Sequence, residues 1–207
     1  MCCRRFFFKD EVLIHAESSM LEFKNYRFPW HAELENTLLK AICGFLNMKG
    51  GIILIGVAEH DVTKKPVVSA RNIYDENTKE QVHFKITNMA KKIYPDIVTN
   101  NKYIVQFVPV KSRDTNNFIA GAYVIRVIVE YGERDSIYFF NDTIEDLYMF
   151  RQEKQVIRKK TSEALEILKK RIKEPMAVPP KKHEGPCLQP DHGKPIYGNP
   201  MESDKRE

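Results

Sequence analysis

Glu17-Ser18-Ser19-Met20-Leu21-Glu22-Phe23-Lys24, then Asn47-Met48-Lys49-Gly50-Gly51, then Ile52-Ile53-Leu54-Ile55-Gly56-Val57-Ala58-Glu59, mark out a strand, a helix stop and a second strand. From Met20 to Tyr26 the residues alternate with the period of a strand. Leu21 and Phe23 then share one face, and Glu22, Lys24 and Tyr26 share the other. Between the first and second stretches, Leu34, Leu38, Ile42, Phe45 and Leu46 recur at helical spacing. That pattern predicts an amphipathic helix over 32–47. Asn47 and the glycines stop it, because Asn and Gly tolerate the left-handed conformation common at helix C-termini. The run 52–58 is apolar on both faces, which predicts a central strand covered on each side.

Working outward, Thr78-x-x-Gln81 has the form of a capping box. It opens a predicted helix over 78–93 with Val82, Ile86, Met89 and Ile93 on one stripe. Strands are predicted at 102–110, 121–130 and 136–140, and a short stretch at 147–151 leads to a last helix over 161–173. In that helix Leu165, Leu168 and Ile172 are expected to face inward. The order β-α-β-α-β-β-β-α indicates an α+β fold with a mixed or antiparallel sheet and flanking helices.

The chain has 207 residues, enough for one domain of this kind and little more. Seven of its eleven prolines fall after residue 174, where no apolar periodicity is present. Residues 175–207 are therefore expected to be a disordered tail, 15–174 the domain and 1–14 an N-terminal segment. The net charge is +5. The tail is balanced, so that excess belongs to residues 1–174 and favours a polyanionic partner. No apolar run approaches the roughly 18–20 residues of a membrane span. The first eight residues reach Lys9 too soon for a signal peptide, so a cytoplasmic or nuclear location is expected. Four scattered cysteines without a Cys-x-x-Cys pair exclude a disulfide scaffold and a structural zinc site of that type. Adjacent Cys2 and Cys3 beside two arginines are a candidate for acylation, without a second signal to support it.

If the two strands of the opening stretches are neighbours, Glu17, Glu22, Glu59 and Lys24 could converge at one end of a sheet. Three close carboxylates remain ionised together only with a compensating cation. Mg²⁺ or Mn²⁺ would suit an all-oxygen site and could activate water or stabilise charge on a phosphodiester. Lys24 could neutralise the phosphorane. The plain alternative is that glutamates at strand ends are solvated surface and Glu22–Lys24 an ordinary ion pair. Lys154, Arg158, Lys159 and Lys160, with Tyr148 and Arg151 nearby, could line a phosphate-contacting edge or be a solvated face. His31, His60 and His83 have no ligand spacing. Lys49-Gly50-Gly51 follows a helix and does not open one, so ATP binding is not expected.

The series Glu-Ser-x-x-x-Glu-Phe-Lys, helix, Asn-x-x-Gly-Gly, apolar strand, Gly-Val resembles the Schlafen family domain, the divergent AlbA-like module. Leu147-Tyr148-Met149-Phe150-Arg151 is similar to that family's late Tyr-x-Arg segment, with one extra residue. The resemblance covers about 15–173. It implies an acidic triad of Glu17, Glu22 and Glu59, in which Ala58-Glu59 stands where the family commonly has Asp-Asp. Vertebrate members carry a His/Cys zinc site that nothing here matches, so zinc is not expected. They also pair two lobes around RNA, whereas this chain has one, which implies a homo-oligomer or a paralogous Schlafen-type subunit.

On this reading the chain is a metal-dependent endoribonuclease acting on tRNA-like or small structured RNA. Glu17, Glu22 and Glu59 hold the metal, Lys24 assists, and Arg151, Lys154, Arg158 and Lys159 bind the backbone. A strained acidic cluster would make Glu22→Gln neutral or stabilising. The alternative is a non-catalytic nucleic-acid-binding or scaffolding subunit.

Overall fold

The computed structural model describes residues 4–69, 74–141 and 146–173, which belong to one compact unit. The chain begins with β1 (Phe7–Phe8), β2 (Leu21–Lys24), α1 (Ala32–Leu46), β3 (Gly51–Ile55), β4 (Val57–Glu59) and β5 (Pro66–Val68). It continues with α2 (Glu76–Ala90), β6 (Ile93–Tyr94), β7 (Tyr103–Lys111) and β8 (Phe118–Val129). It closes with β9 (Phe139–Asn141), β10 (Asp146–Gln152), β11 (Gln155–Lys159) and α3 (Thr161–Lys173). The fold is α+β with a mixed sheet, as the element order implied. The tail expected over 175–207, Cys2, Cys3 and Cys187 lie outside the described residues.

The main sheet runs β1-β7-β8-β3-β2. β2 and β3 are parallel neighbours joined through α1, with Glu22 opposite Ile53 and Lys24 opposite Ile55. β3 also pairs with β8, so it is internal and its alternate side chains enter two different cores. Ile53 and Ile55 pack with Ile125, Val127 and the inner faces of α1 and α2. Leu54 packs on the other side with Phe7, Leu21, Val108 and Val124. Such burial stabilises by about 25 cal/mol per Å² of apolar surface and explains a strand apolar on both faces. Phe7 and Phe8, left by the sequence reading in a separate N-terminal segment, pair in parallel with Val110 and Lys111.

A second sheet, β11-β10-β9-β6, packs Ile93, Phe140, Leu147 and Met149 into the same core as α1. Asn47 ties these parts together. Its Nδ2 donates to the carbonyls of Tyr138 (2.6 Å) and Met149 (2.9 Å), and its Oδ1 accepts from the Tyr138 N–H (2.7 Å). The side chain is fully buried and the backbone is right-handed (φ −79°), so Asn47 is a cross-link, and the left-handed conformation expected of it is taken by Gly50 instead. Gly50 has φ of +72°, and a Cβ there would lie 2.8 Å from the Val129 carbonyl oxygen. Both features of Asn-x-x-Gly-Gly thus have local physical causes.

Four expectations are corrected. The apolar run 52–58 is broken at Gly56 (φ +108°), which turns the chain out of β3 into the β4–β5 hairpin. α2 begins earlier than Thr78, because Asp75 is its cap and accepts from the Thr78 N–H at 2.7 Å. Ile93 falls outside that helix and in β6. In α3, Leu165 and Ile172 are about half exposed (49% and 52%), and Ala164 is the buried residue. Arg171 lies on the covered side instead, donating to the carbonyls of Asn47 and Ser136.

Candidate nucleic-acid interface

β2 is an edge strand, and the loop before it folds back tightly, with Ser18 N–H donating to the Leu21 carbonyl at 3.0 Å. Glu17 is thereby placed to accept from the backbone N–H of Phe23 at 2.9 Å. The acid that opens the motif satisfies a donor of the edge strand.

Glu22 is the residue the sequence reading placed at the centre of the site, and it is buried. Its Oε1 is in an ion pair with Lys24 Nζ, and its Oε2 lies 2.5 Å from Nη2 of Arg151. Oε2 takes part in that ion pair without accepting a directed hydrogen bond. The Arg151 side chain has no solvent exposure. Its Nε donates to the Ser18 carbonyl (2.9 Å), its Nη2 to the Leu21 carbonyl (3.1 Å), and its guanidinium sits 4.8 Å from the Phe45 ring centroid. Nη1 is buried without an acceptor. Arg151, which the sequence reading placed at the phosphate backbone, is enclosed and holds the Glu-Ser-x-x-x-Glu loop from the wall of the larger of two clefts at this corner.

Glu59 goes elsewhere. The turn at Gly56 carries it to the end of β4, where it is 65% exposed and pairs with Lys64 at 3.5 Å. Among the described residues, no three His, Cys, Asp or Glu side chains form a group that could hold a metal ion. The donor set explains why. Glu22 is flanked by two cations, Glu17 is engaged with a backbone N–H, and Glu59 faces a lysine. In this arrangement the three carboxylates do not converge: Glu22 faces Lys24 and Arg151, while Glu17 and Glu59 border the smaller of two clefts.

Two clefts open around this corner. One, of about 290 Å³, is lined by Glu17, Phe23, Glu59, Lys64 and Lys154. The other, of about 700 Å³, has Glu17, Lys49, Arg151, Glu153, Lys154 and Lys159 among its lining residues. Glu17 and Lys154 border both. Lys154 sits at the tip of the β10–β11 hairpin and is exposed, as is Lys49 in the turn between α1 and β3. Lys159 pairs with Glu163 at 3.2 Å. The Glu163 carboxyl is held below its ordinary range, first by the Lys160 backbone N–H and then by Lys159. Arg158 is exposed on β11, where the residues paired with it in β10 bring it beside Met149. Of the four expected backbone contacts, Lys154, Lys159 and the buried Arg151 line the larger cleft, and Arg158 is on the opposite face of β11 from Lys159. Near Lys24, burial raises the Tyr26 phenol above its usual range, offset in part by the Lys24 charge.

The family model described as Schlafen, AlbA_2 matches residues 17–163. The chain belongs to the Schlafen family. Its matched span begins at Glu17, runs through the Arg151 clamp and ends at Glu163, within the first turn of α3. Family membership points to nucleic acid as the class of ligand. No curated protein matches the chain. Among solved structures, the DIP2311 protein from Corynebacterium diphtheriae is similar at 14% identity and a TM-score of 0.43. The match covers 72% of this chain and 23% of that one, so the Schlafen chain spans under a quarter of that protein's length. Among the described residues no helix is long and apolar enough to cross a membrane.

The role of Arg151 was the main thing sequence reasoning missed. A single arginine in an alternating strand gives no sign that its partner lies in the first motif. The late Tyr-x-Arg segment was the one available signal.

Proposed function

We propose that this chain is an RNA-binding Schlafen subunit that grips the phosphate backbone along the two clefts meeting at Glu17 and Lys154. The observation that carries this reading is the state of the charges there. Glu22 is compensated by Lys24 and Arg151, and Glu59 by Lys64, while Lys49 and Lys154 are exposed and enter no ion pair among the described residues. Exposed lysines beside a cleft neutralise phosphates and release counterions, a term that needs no base recognition. One lobe leaves the clefts open on a side, so a second copy or a related Schlafen-type chain would complete the enclosure.

Fluorescence anisotropy with labelled RNA at several salt concentrations tests this. Lys49→Ala and Lys154→Ala should each weaken binding and reduce the salt slope by about one. Unchanged affinity and slope in both variants would refute the reading.

A second reading, the metal-dependent endoribonuclease, is favoured by one observation: Glu17 and Glu59 line the same cleft as Lys154. It requires Glu22 to leave its two cations before three carboxylates can act together.

A further inference from the structure

Tyr94, Phe139 and Tyr148 form a row of rings across three adjacent strands of the second sheet. Tyr94 and Phe139 are register partners, with ring centroids 5.8 Å apart and planes inclined by 30°. Phe139 and Tyr148 follow at 5.4 Å and 38°. Their strand neighbours Ile93, Phe140, Leu147 and Met149 point the opposite way, into the core beneath α1. None of the three rings belongs to either apolar core. The row therefore stands on the outer face of the sheet. β6 is an edge strand, so the side of Tyr94 away from Phe139 has no strand beside it, and Tyr94 is 51% exposed.

Cross-strand aromatic pairs stabilise a sheet modestly, which alone would account for two of these rings in contact. It does not account for an apolar row left open at the sheet edge. The row also continues into the proposed binding clefts. Tyr148 is opposite Lys159, and Phe150, two residues further along the same face of β10, lines the larger cleft together with Lys159. At about 3.3 Å per residue, Tyr148 lies roughly 13 Å along the strand from Gln152 at the hairpin tip. Lys154 at the hairpin tip and the half-exposed ring of Tyr94 at the sheet edge fit a strand of nucleotides whose phosphates are held at Lys154. Stacking on an aromatic face needs an unpaired base, since paired bases offer no free face within a helix.

We propose that the Tyr94–Phe139–Tyr148 row is a stacking platform for an unpaired base. The preferred RNA then carries a single-stranded segment leading out of the clefts, with the base seated on the outer face of Tyr94. This rests on the reading of the chain as an RNA-binding protein and adds the class of RNA.

The test compares a single-stranded oligoribonucleotide carrying 2-aminopurine with a blunt duplex of the same sequence. The base analogue's fluorescence falls when it stacks. Tyr94→Ala should weaken single-strand binding about five- to hundredfold and abolish the quenching. Duplex affinity and the salt slope should be unchanged, and Tyr94→Trp should restore both lost signals. Tyr148→Ala serves as a second variant should Tyr94→Ala fail to fold, with the same expected direction. Unchanged single-strand affinity and quenching in these variants would overturn the proposal. If Lys154→Ala weakens RNA binding in that case, the RNA-binding reading survives and only the platform falls. Equal losses on the duplex would also overturn it, as would wild-type protein that binds no RNA. So would Tyr94→Ala that alters self-association with RNA affinity intact, which would make the face an interface between protein chains.

Discussion

Arg151 and Glu22 form a buried ion pair that fastens the β10 strand of one sheet to the β2 edge of the other, with Nη2 and Oε2 at 2.5 Å. The same guanidinium donates to the carbonyls of Ser18 and Leu21, so one side chain fixes both ends of the turn that precedes β2. A pair of this kind is a weak source of net stability, because desolvation offsets much of the attraction. Losing one partner is a different matter, since it leaves the other charge buried.

Arg151→Met should therefore lower stability by about 3–5 kcal/mol, seen as a lower urea midpoint with the slope retained. Glu22→Gln should also destabilise, by about 1–3 kcal/mol, since it leaves the buried guanidinium without its counter-charge. This reverses the expectation drawn from an acidic cluster in the sequence. Glu22→Leu combined with Arg151→Met should cost less than the two single changes added together. An additive double variant would show that the pair is not coupled in solution.

Asn47→Ala should cost about 2–4 kcal/mol, because it strands the Tyr138 N–H and the Met149 carbonyl in the core and leaves the Tyr138 carbonyl only the weak Cys43 thiol donor at 3.3 Å. Gly50→Ala should destabilise as well, through its positive φ and the close Val129 carbonyl. Thermal melts that leave either variant at the wild-type Tm would show that this junction is not built as described.

Cys43 should be inert in the native protein. Burial pushes its thiol up to about 12, partly opposed by a backbone hydrogen bond involving Met149. The thiolate is the reactive form and is essentially absent near pH 8. Iodoacetamide treatment followed by mass spectrometry should leave Cys43 unmodified in native protein and label it in guanidinium. Rapid native labelling would mean that the α1 core opens readily.

Much of the fold was legible because burial writes periodicity into the chain. The α1 bounds of 32–47 came within a residue of Ala32–Leu46, as its stripe faces a single core. The end of the central strand was not legible, because Val57 and Ala58 are as apolar as Ile55 and only the φ of Gly56 separates them. The β10–β11 hairpin was hidden by its charges: Lys154, Arg158 and Lys159 read as a run, when Arg158 and Lys159 in fact lie along a strand. The candidate site was legible as a set of residues but not as an arrangement. Glu17, Glu22 and Lys24 are brought to one corner by a local turn, which spacing can suggest. Glu22's burial depends on a partner far along the chain, which spacing cannot reveal.

A cleavage assay decides whether the Glu22 carboxylate is a structural anchor in a chain that binds RNA. Purified protein is incubated with end-labelled tRNA and with single-stranded RNA, in Mn²⁺ or in EDTA, while binding is followed in parallel. Both RNAs should stay intact in either condition, and binding should persist in EDTA. Mn²⁺-dependent cleavage that Glu22→Gln abolishes, in protein shown to remain folded, would contradict the anchor role and establish the endoribonuclease reading.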